Sequence, residues 1–100
     1  MSKKHECTRE NLIRAQKARD FQRVAQSHPA WLHQESGKGD HKIEYYKNPS
    51  GGEERIPWDS HHGEVSPGVR RDFIRRLVEK GLLVLIIAIA AIILFVGGNQ

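Results

Sequence analysis

Cysteine is nearly absent from this chain: Cys7 stands alone, so no intrachain disulfide can staple the fold or argue for an exported compartment. Internal repeats and low-complexity stretches are lacking too. The polar N-terminus, MSKKHECTRENLIR, holds nothing like a secretory leader. His28, His33, His41, His61, His62 and Cys7 show no standard zinc-ligand spacing, so neither a metal nor another cofactor is expected. Charge is missing from one long stretch, Gly81 to Gly98, 18 residues without an ionisable side chain.

Within that stretch Leu82 to Val96 reads LLVLIIAIAAIILFV. At about 1.5 Å per residue, Gly81 to Gly98 reaches roughly 27 Å as a helix, slightly short of a hydrocarbon core of about 30 Å. A buried core helix is the competing reading. The remaining residues, about 80 of them, offer too little surface to hide a helix that is apolar all round. A transmembrane helix over residues 81–98 is therefore expected, with 99–100 as a short tail. Arg70, Arg71, Arg75, Arg76 and Lys80 precede the run, so the positive-inside bias keeps the N-terminal part cytoplasmic, as in a single-pass, tail-anchored protein. Lys80 is placed to lift its ammonium towards the headgroups. The run contains Ala88, Ala90 and Ala91 but no GxxxG, which gives self-association little support.

The net charge of +4 is unevenly spread. Residues 1–23 carry seven Lys or Arg against three acids, residues 24–66 four against seven, and residues 67–80 five against two. A basic stretch beside a bilayer implies attraction to anionic lipid, about 1 kcal/mol per cation near the surface.

Residues 1–20 read as a basic helical segment and 21–80 as one small domain. Thr8 is an N-cap for a first helix on which Leu12, Ala15, Ala18, Phe21 and Ala25 recur at spacings of three and four. His28-Pro29 stops it. Ala30 to His33 is a short strand, followed by a loop from Gln34 to Asp40. His41 to Lys47 (HKIEYYK) alternates, with His41, Ile43 and Tyr45 on one face and Lys42, Glu44 and Tyr46 on the other. The turn Asn48-Pro49-Ser50-Gly51-Gly52 joins it to Glu53–Trp58 as a hairpin, and Pro57 must sit at an edge or an end. Ser66-Pro67 opens a last helix carrying Val69, Phe73, Leu77, Ile74 and Val78 on one side, with the arginines pointing away and Gly81 as a swivel to the apolar run. The expected architecture is α+β: helix, three-stranded antiparallel sheet, helix, then the span.

Lys38-Gly39-Asp40-His41, the pair Tyr45-Tyr46, the turn at Asn48 to Gly52, Ile56-Pro57, His61-His62-Gly63, and Glu64 to Gly68 ahead of Phe73-Ile74 together resemble the HicA family. These are small toxins of bacterial toxin–antitoxin pairs that cut messenger RNA. The resemblance covers about Phe21 to Leu82. It implies a fold like a double-stranded-RNA-binding domain, His41 as the catalytic histidine, and a HicB-like antitoxin as partner. Asp40 stands where the family usually has serine, and the apolar run is an addition to it.

The implied chemistry needs no metal, because a neutral imidazole can take the proton of a ribose 2′-hydroxyl, which then attacks the adjacent phosphorus. Lys38 and Lys42 flank His41 in sequence and are candidates to stabilise phosphate charge, while Gly39 permits close approach of the backbone. Tyr46 is a candidate to stack on a base, and His61 and His62 to line an RNA-contacting loop. Two other readings stand beside the enzyme. One is a non-catalytic RNA-binding domain held at a membrane; the other is a small structural membrane protein whose basic helices bind lipid.

Overall fold

A computed structural model describes residues 6–84. Helices α1 (Arg9–Arg14) and α2 (Ala18–Gln26) precede strands β1 (Trp31–Ser36), β2 (His41–Lys47) and β3 (Glu53–Asp59), and helix α3 (Pro67–Glu79) follows. The strands form one antiparallel sheet in the order β1-β2-β3. The fold is a small α+β domain. The boundary expected at residue 20 falls inside α2, and Cys7 and Leu12 share a core with Phe73.

Thr8 caps α1 as expected, its Oγ1 accepting from the Asn11 N–H at 3.1 Å. The single first helix is corrected to two. Between them the Gln16 carbonyl accepts from Val65 N–H (2.8 Å), and Ala18 N–H donates to the Gly63 carbonyl (2.9 Å). Hydrogen bonds to a distant loop thus replace the helical ones. The apolar stripe survives the break, since Leu12, Ala15, Phe21 and Ala25 are all buried.

The β2–β3 hairpin has the expected turn over residues 48–52. Asn48 fixes it through Oδ1, which accepts from Ser50 N–H at 2.7 Å, and Gly51 supplies a φ of +112°. Pro57 lies on an edge strand, where its missing N–H breaks no ladder. β1 runs to Ser36, three residues past its expected end, with a bulge between Trp31 and His33.

Both long helices cover one face of the sheet. Phe21 of α2 meets Trp58 of β3 and Phe73 of α3 at ring-centroid distances of 4.9 and 5.1 Å. Burying each such side chain stabilises the fold by about 1.5–3 kcal/mol. On this face Glu44 is fully buried. Its Oε1 accepts from Trp31 Nε1 (2.9 Å) and Gln26 Nε2 (3.4 Å), and its Oε2 from Trp58 Nε1 (2.9 Å) and Gln34 Nε2 (2.6 Å). One carboxylate on the central strand therefore ties both edge strands and α2 together.

Ser66 caps α3, accepting from Val69 N–H at 3.2 Å, with Pro67 in the first helical position. One arginine departs from expectation. Arg70 is buried and donates from Nη1 to the Ile13 carbonyl, so it points at α1 rather than at solvent.

At the other end α3 closes in a Schellman turn. Gly81 takes φ +76°, its N–H donates to the Val78 carbonyl (3.1 Å), and Leu82 N–H donates to the Leu77 carbonyl (2.8 Å). Leu82 is buried in the core. Gly81 is thus a fixed cap, not the expected swivel. The rest of the expected span, from residue 85 onward, lies outside the described residues. Among the described residues no helix is long and apolar enough to cross a membrane.

Candidate functional site

His41 opens β2 directly after a tight turn, closed by its N–H donating to the Lys38 carbonyl at 3.2 Å. Gly39 holds φ +60° in that turn, a conformation that glycine takes at little cost. Gly37 makes room beside it, because a Cβ there would lie 3.3 Å from the His41 Cβ. The imidazole stands on the uncovered face of the sheet and is 66% exposed. Its Nδ1 lies 4.0 Å from Oδ2 of Asp59, the residue opposite it on β3.

A cleft of about 410 Å³ opens beside this pair, lined by His41, Pro57, Trp58, Asp59, Gly68, Val69 and Asp72. Three elements build it: the start of β2, the end of β3, and the first two turns of α3. Pro67 has no N–H and Ser66 takes that of Val69, so the Gly68 N–H is left without an intrahelical partner at the positive end of a 13-residue helix. Asp72 adds a carboxylate. Hydrogen bonds from Arg75 and then Arg76 hold it below the usual carboxylate range, and both guanidiniums lie within 2.8 Å of its oxygens. The Trp58 wall is fixed from behind by its bond to Glu44.

The other expected site residues distribute unevenly around His41. Lys38 and Gly39 are exposed in the adjoining turn. Lys42 faces the opposite side of the sheet, its Nζ 3.4 Å from Ser36 Oγ, because alternation along β2 turns it away from His41. Tyr46 is corrected outright. It is fully buried, donates its hydroxyl to the Ala25 carbonyl at 2.7 Å, and is pushed well above the usual tyrosine pKa by burial. Tyr45 is the ring on the open face, stacked on His33 at 4.3 Å.

His61 belongs to a separate cleft at the α3 N-terminus, lined also by Gln16, Glu64, Pro67 and Arg70, and the His62 ring lies against His61 at 4.1 Å. His62 (φ +53°) and Gly63 (φ +75°) form the centre of a tight turn between His61 and Glu64, so their spacing serves the backbone there.

The basic flank is largely neutralised within the domain. Arg75 and Arg76 engage Asp72, Arg75 also reaches Glu79 (2.9 Å), and Lys80 lies 3.4 Å from Glu54 rather than extending along the apolar run. With Arg70 buried, Arg71 is the member of that flank without an acidic or buried partner among the described residues. Elsewhere, burial pushes the Cys7 thiol up to about 12. His28 is used structurally, its Nδ1 accepting from Ala30 N–H at 2.9 Å and its Nε2 lying 2.6 Å from the Leu82 carbonyl. Among the described residues no three His, Cys, Asp or Glu side chains converge as a metal site.

Asp59 and Gly37 were not anticipated from sequence. Asp59 was legible, since counting outward from the five-residue turn pairs His41 with Asp59. Gly37 was not, because its role depends on the turn geometry across from His41. No protein-family profile, no curated protein and no solved structure matches this chain, so the likeness to HicA toxins rests on the residues quoted for it.

Proposed function

We propose that this protein is a membrane-tethered, HicA-like endoribonuclease that cuts messenger RNA without a metal. The observation that carries the reading is the cleft where His41, Asp59 and the first turn of α3 meet. The order helix, three strands, helix, with both long helices on one sheet face, also suits a domain of the double-stranded-RNA-binding kind.

In this mechanism a phosphodiester sits against the Gly68 N–H, where the helix end favours negative charge. Asp59 flanks the Nδ1 side of the imidazole and leaves Nε2 to handle the proton. His41 removes the 2′-hydroxyl proton, the 2′-oxygen bonds to phosphorus, and the bond to the 5′-oxygen breaks. The leaving oxygen takes up a proton, and a cyclic phosphate remains on the upstream fragment. Lys38, in the adjoining turn, supplies positive charge near the phosphate. A HicB-like antitoxin would act by covering this cleft.

The test is cleavage of RNA by the full chain in detergent, purified through denaturant to strip any bound antitoxin, then refolded in EDTA. His41→Ala is expected to lower the rate by about 10²–10⁴. Intact RNA with the wild-type protein refutes the enzyme. One arrangement favours a second reading, RNA binding without chemistry: Asp40, Asp59 and Asp72 place three carboxylates in or next to a site meant for phosphate. That reading expects RNA binding that weakens steeply with salt and survives His41→Ala.

A further inference from the structure

The end of the domain opposite His41 carries an exposed leucine, Leu32. β1 begins there at Trp31 and β2 ends there at Lys47, next to the turn carrying Pro49. The chain leaving α3 is fastened to the same end. Leu82 is buried, its carbonyl lies 2.6 Å from His28 Nε2, and a Cβ on Gly81 would lie 3.8 Å from Pro49. Both ring nitrogens of His28 are thereby engaged, Nδ1 by Ala30 N–H.

A cleft of about 430 Å³ lies at this fastening, with Pro29, Leu32, Pro49 and Leu82 among its walls and Lys47 on its rim. Leu32 (40% exposed) and Val84 (66%) are the exposed large hydrophobic side chains among the described residues. Leu32 lines the cleft, and Val84 follows two residues after Leu82. From Leu82 the sequence continues apolar to Val96.

We propose that this end is a membrane-docking face: it seats on the headgroup boundary of an anionic bilayer, with Leu32 and Pro49 immersed and Lys47 among the phosphates. The inference rests on the reading of the apolar run as membrane-embedded. It adds an orientation that a flexible tether would not give. The Schellman turn, the buried Leu82 and the His28 contact fasten the first residue of the run to the domain, so the domain's lower surface is set by where the run enters lipid.

The orientation has a consequence for the site. His41 and Lys47 are the two ends of β2, and six steps of about 3.3 Å separate them by about 20 Å. α3 spans a similar distance, from Gly68 in the His41 cleft to its cap beside Pro49. The His41 cleft therefore opens away from the lipid, more than two Debye lengths (each about 8 Å at physiological salt) from the headgroups. RNA phosphates there escape repulsion by anionic lipid.

The test uses the full chain in vesicles of phosphatidylcholine and phosphatidylglycerol with brominated acyl chains. A fluorophore is attached at Leu32→Cys, at Ser50→Cys in the turn, or at Lys38→Cys beside His41. Cys7 is buried and does not compete for the label. Flotation of the vesicles first establishes whether the chain is embedded; failure to float removes the membrane reading and this inference together. With the chain floating, bromine is expected to quench most of the fluorescence at positions 32 and 50 and to leave that at 38 nearly unchanged. Equal quenching at all three, or stronger quenching at 38, overturns the docking face while the anchor stands.

Discussion

Glu44→Gln isolates the most concentrated interaction in the domain. The substitution preserves shape and removes one acceptor end of a carboxylate that receives four N–H groups. Turned one way, the new NH₂ confronts the donors of Trp58 and Gln34, and Gln34 cannot flip without losing its bond to Gln22 Oε1 at 3.0 Å. Turned the other way, it confronts Trp31 and Gln26, and Gln26 can rotate its amide to offer an oxygen. The second orientation costs less. It still orphans the Trp31 indole N–H, about 1–3 kcal/mol, and turns the two surviving bonds from charge-assisted to neutral, about 1 kcal/mol each. Relief of the buried charge offsets part of this, because no cation is left behind unpaired.

The net expectation is a loss of about 2–4 kcal/mol. A domain of this size has a total stability of about 4–12 kcal/mol, so the change is a large fraction of it. The chain's two tryptophans are Trp31 and Trp58, both bonded to Glu44, so indole fluorescence during urea unfolding reports on this site. With a slope of about 1 kcal/mol per molar urea, the midpoint falls by about 2 M or more. An unchanged or higher midpoint would show that desolvation of the carboxylate outweighs its four donors and would refute the reasoning.

Two further outcomes follow from the ends of the domain. A chain cut after Lys80 lacks the buried Leu82 and its contact with His28, and is expected to be less stable by about 2–4 kcal/mol than one cut after Val84; equal urea midpoints would contradict the docking of Leu82. Cys7 has a folded pKa near 12 against an ordinary 9.0, so its stabilisation is complete below pH 9 and is lost as pH rises towards 12. Wild type should therefore lose stability relative to Cys7→Ala above pH 9, by up to about 1.4 kcal/mol per pH unit, and a constant difference in midpoint from pH 8 to 11 would refute it.

The β2–β3 hairpin and the start of α3 were legible because each carries local chemistry: Asn48 to Gly52 can only turn, and Ser66-Pro67 can only open a helix. The break at Ala15 to Lys17 was not legible. A continuous helix and an interrupted one both bury Leu12, Ala15, Phe21 and Ala25, and the deciding bonds come from residues 63–65. Alternation along β2 separated its two faces correctly, yet it hid which one the helices cover. Lys42, Glu44 and Tyr46 look like the wetter face, and they are the covered one, because two indoles and two amides from elsewhere satisfy Glu44. The same reversal removed Tyr46 and Lys42 from the site and left His41 on the open side. β1 reads three residues too short in the sequence for a related reason, since Gln34 looks like loop and is a core-facing donor to Glu44.

The leucines after Gly81 have two claimants, and magnitudes decide between them. With Leu82 and Leu83 packed on the domain, residues 84–98 are what remains for the proposed span, and at about 1.5 Å per residue they would reach about 22 Å, well short of a hydrocarbon thickness of about 30 Å. Releasing both leucines would add about 3 Å, and mismatch costs only fractions of a kcal/mol per ångström. Moving Leu82 into lipid keeps its transfer out of water but leaves a cavity in the core, about 1–3 kcal/mol, and gives up the His28 hydrogen bond, about 1 kcal/mol. The domain therefore keeps its leucines, and on the proposed membrane reading the bilayer would have to adjust by thinning locally around a short span. On that reading a short span entered from the Gly81 cap would draw the domain down onto the headgroups, and the proposed docking face, Leu32 and Pro49, is the end that would meet the lipid while the His41 cleft faces water.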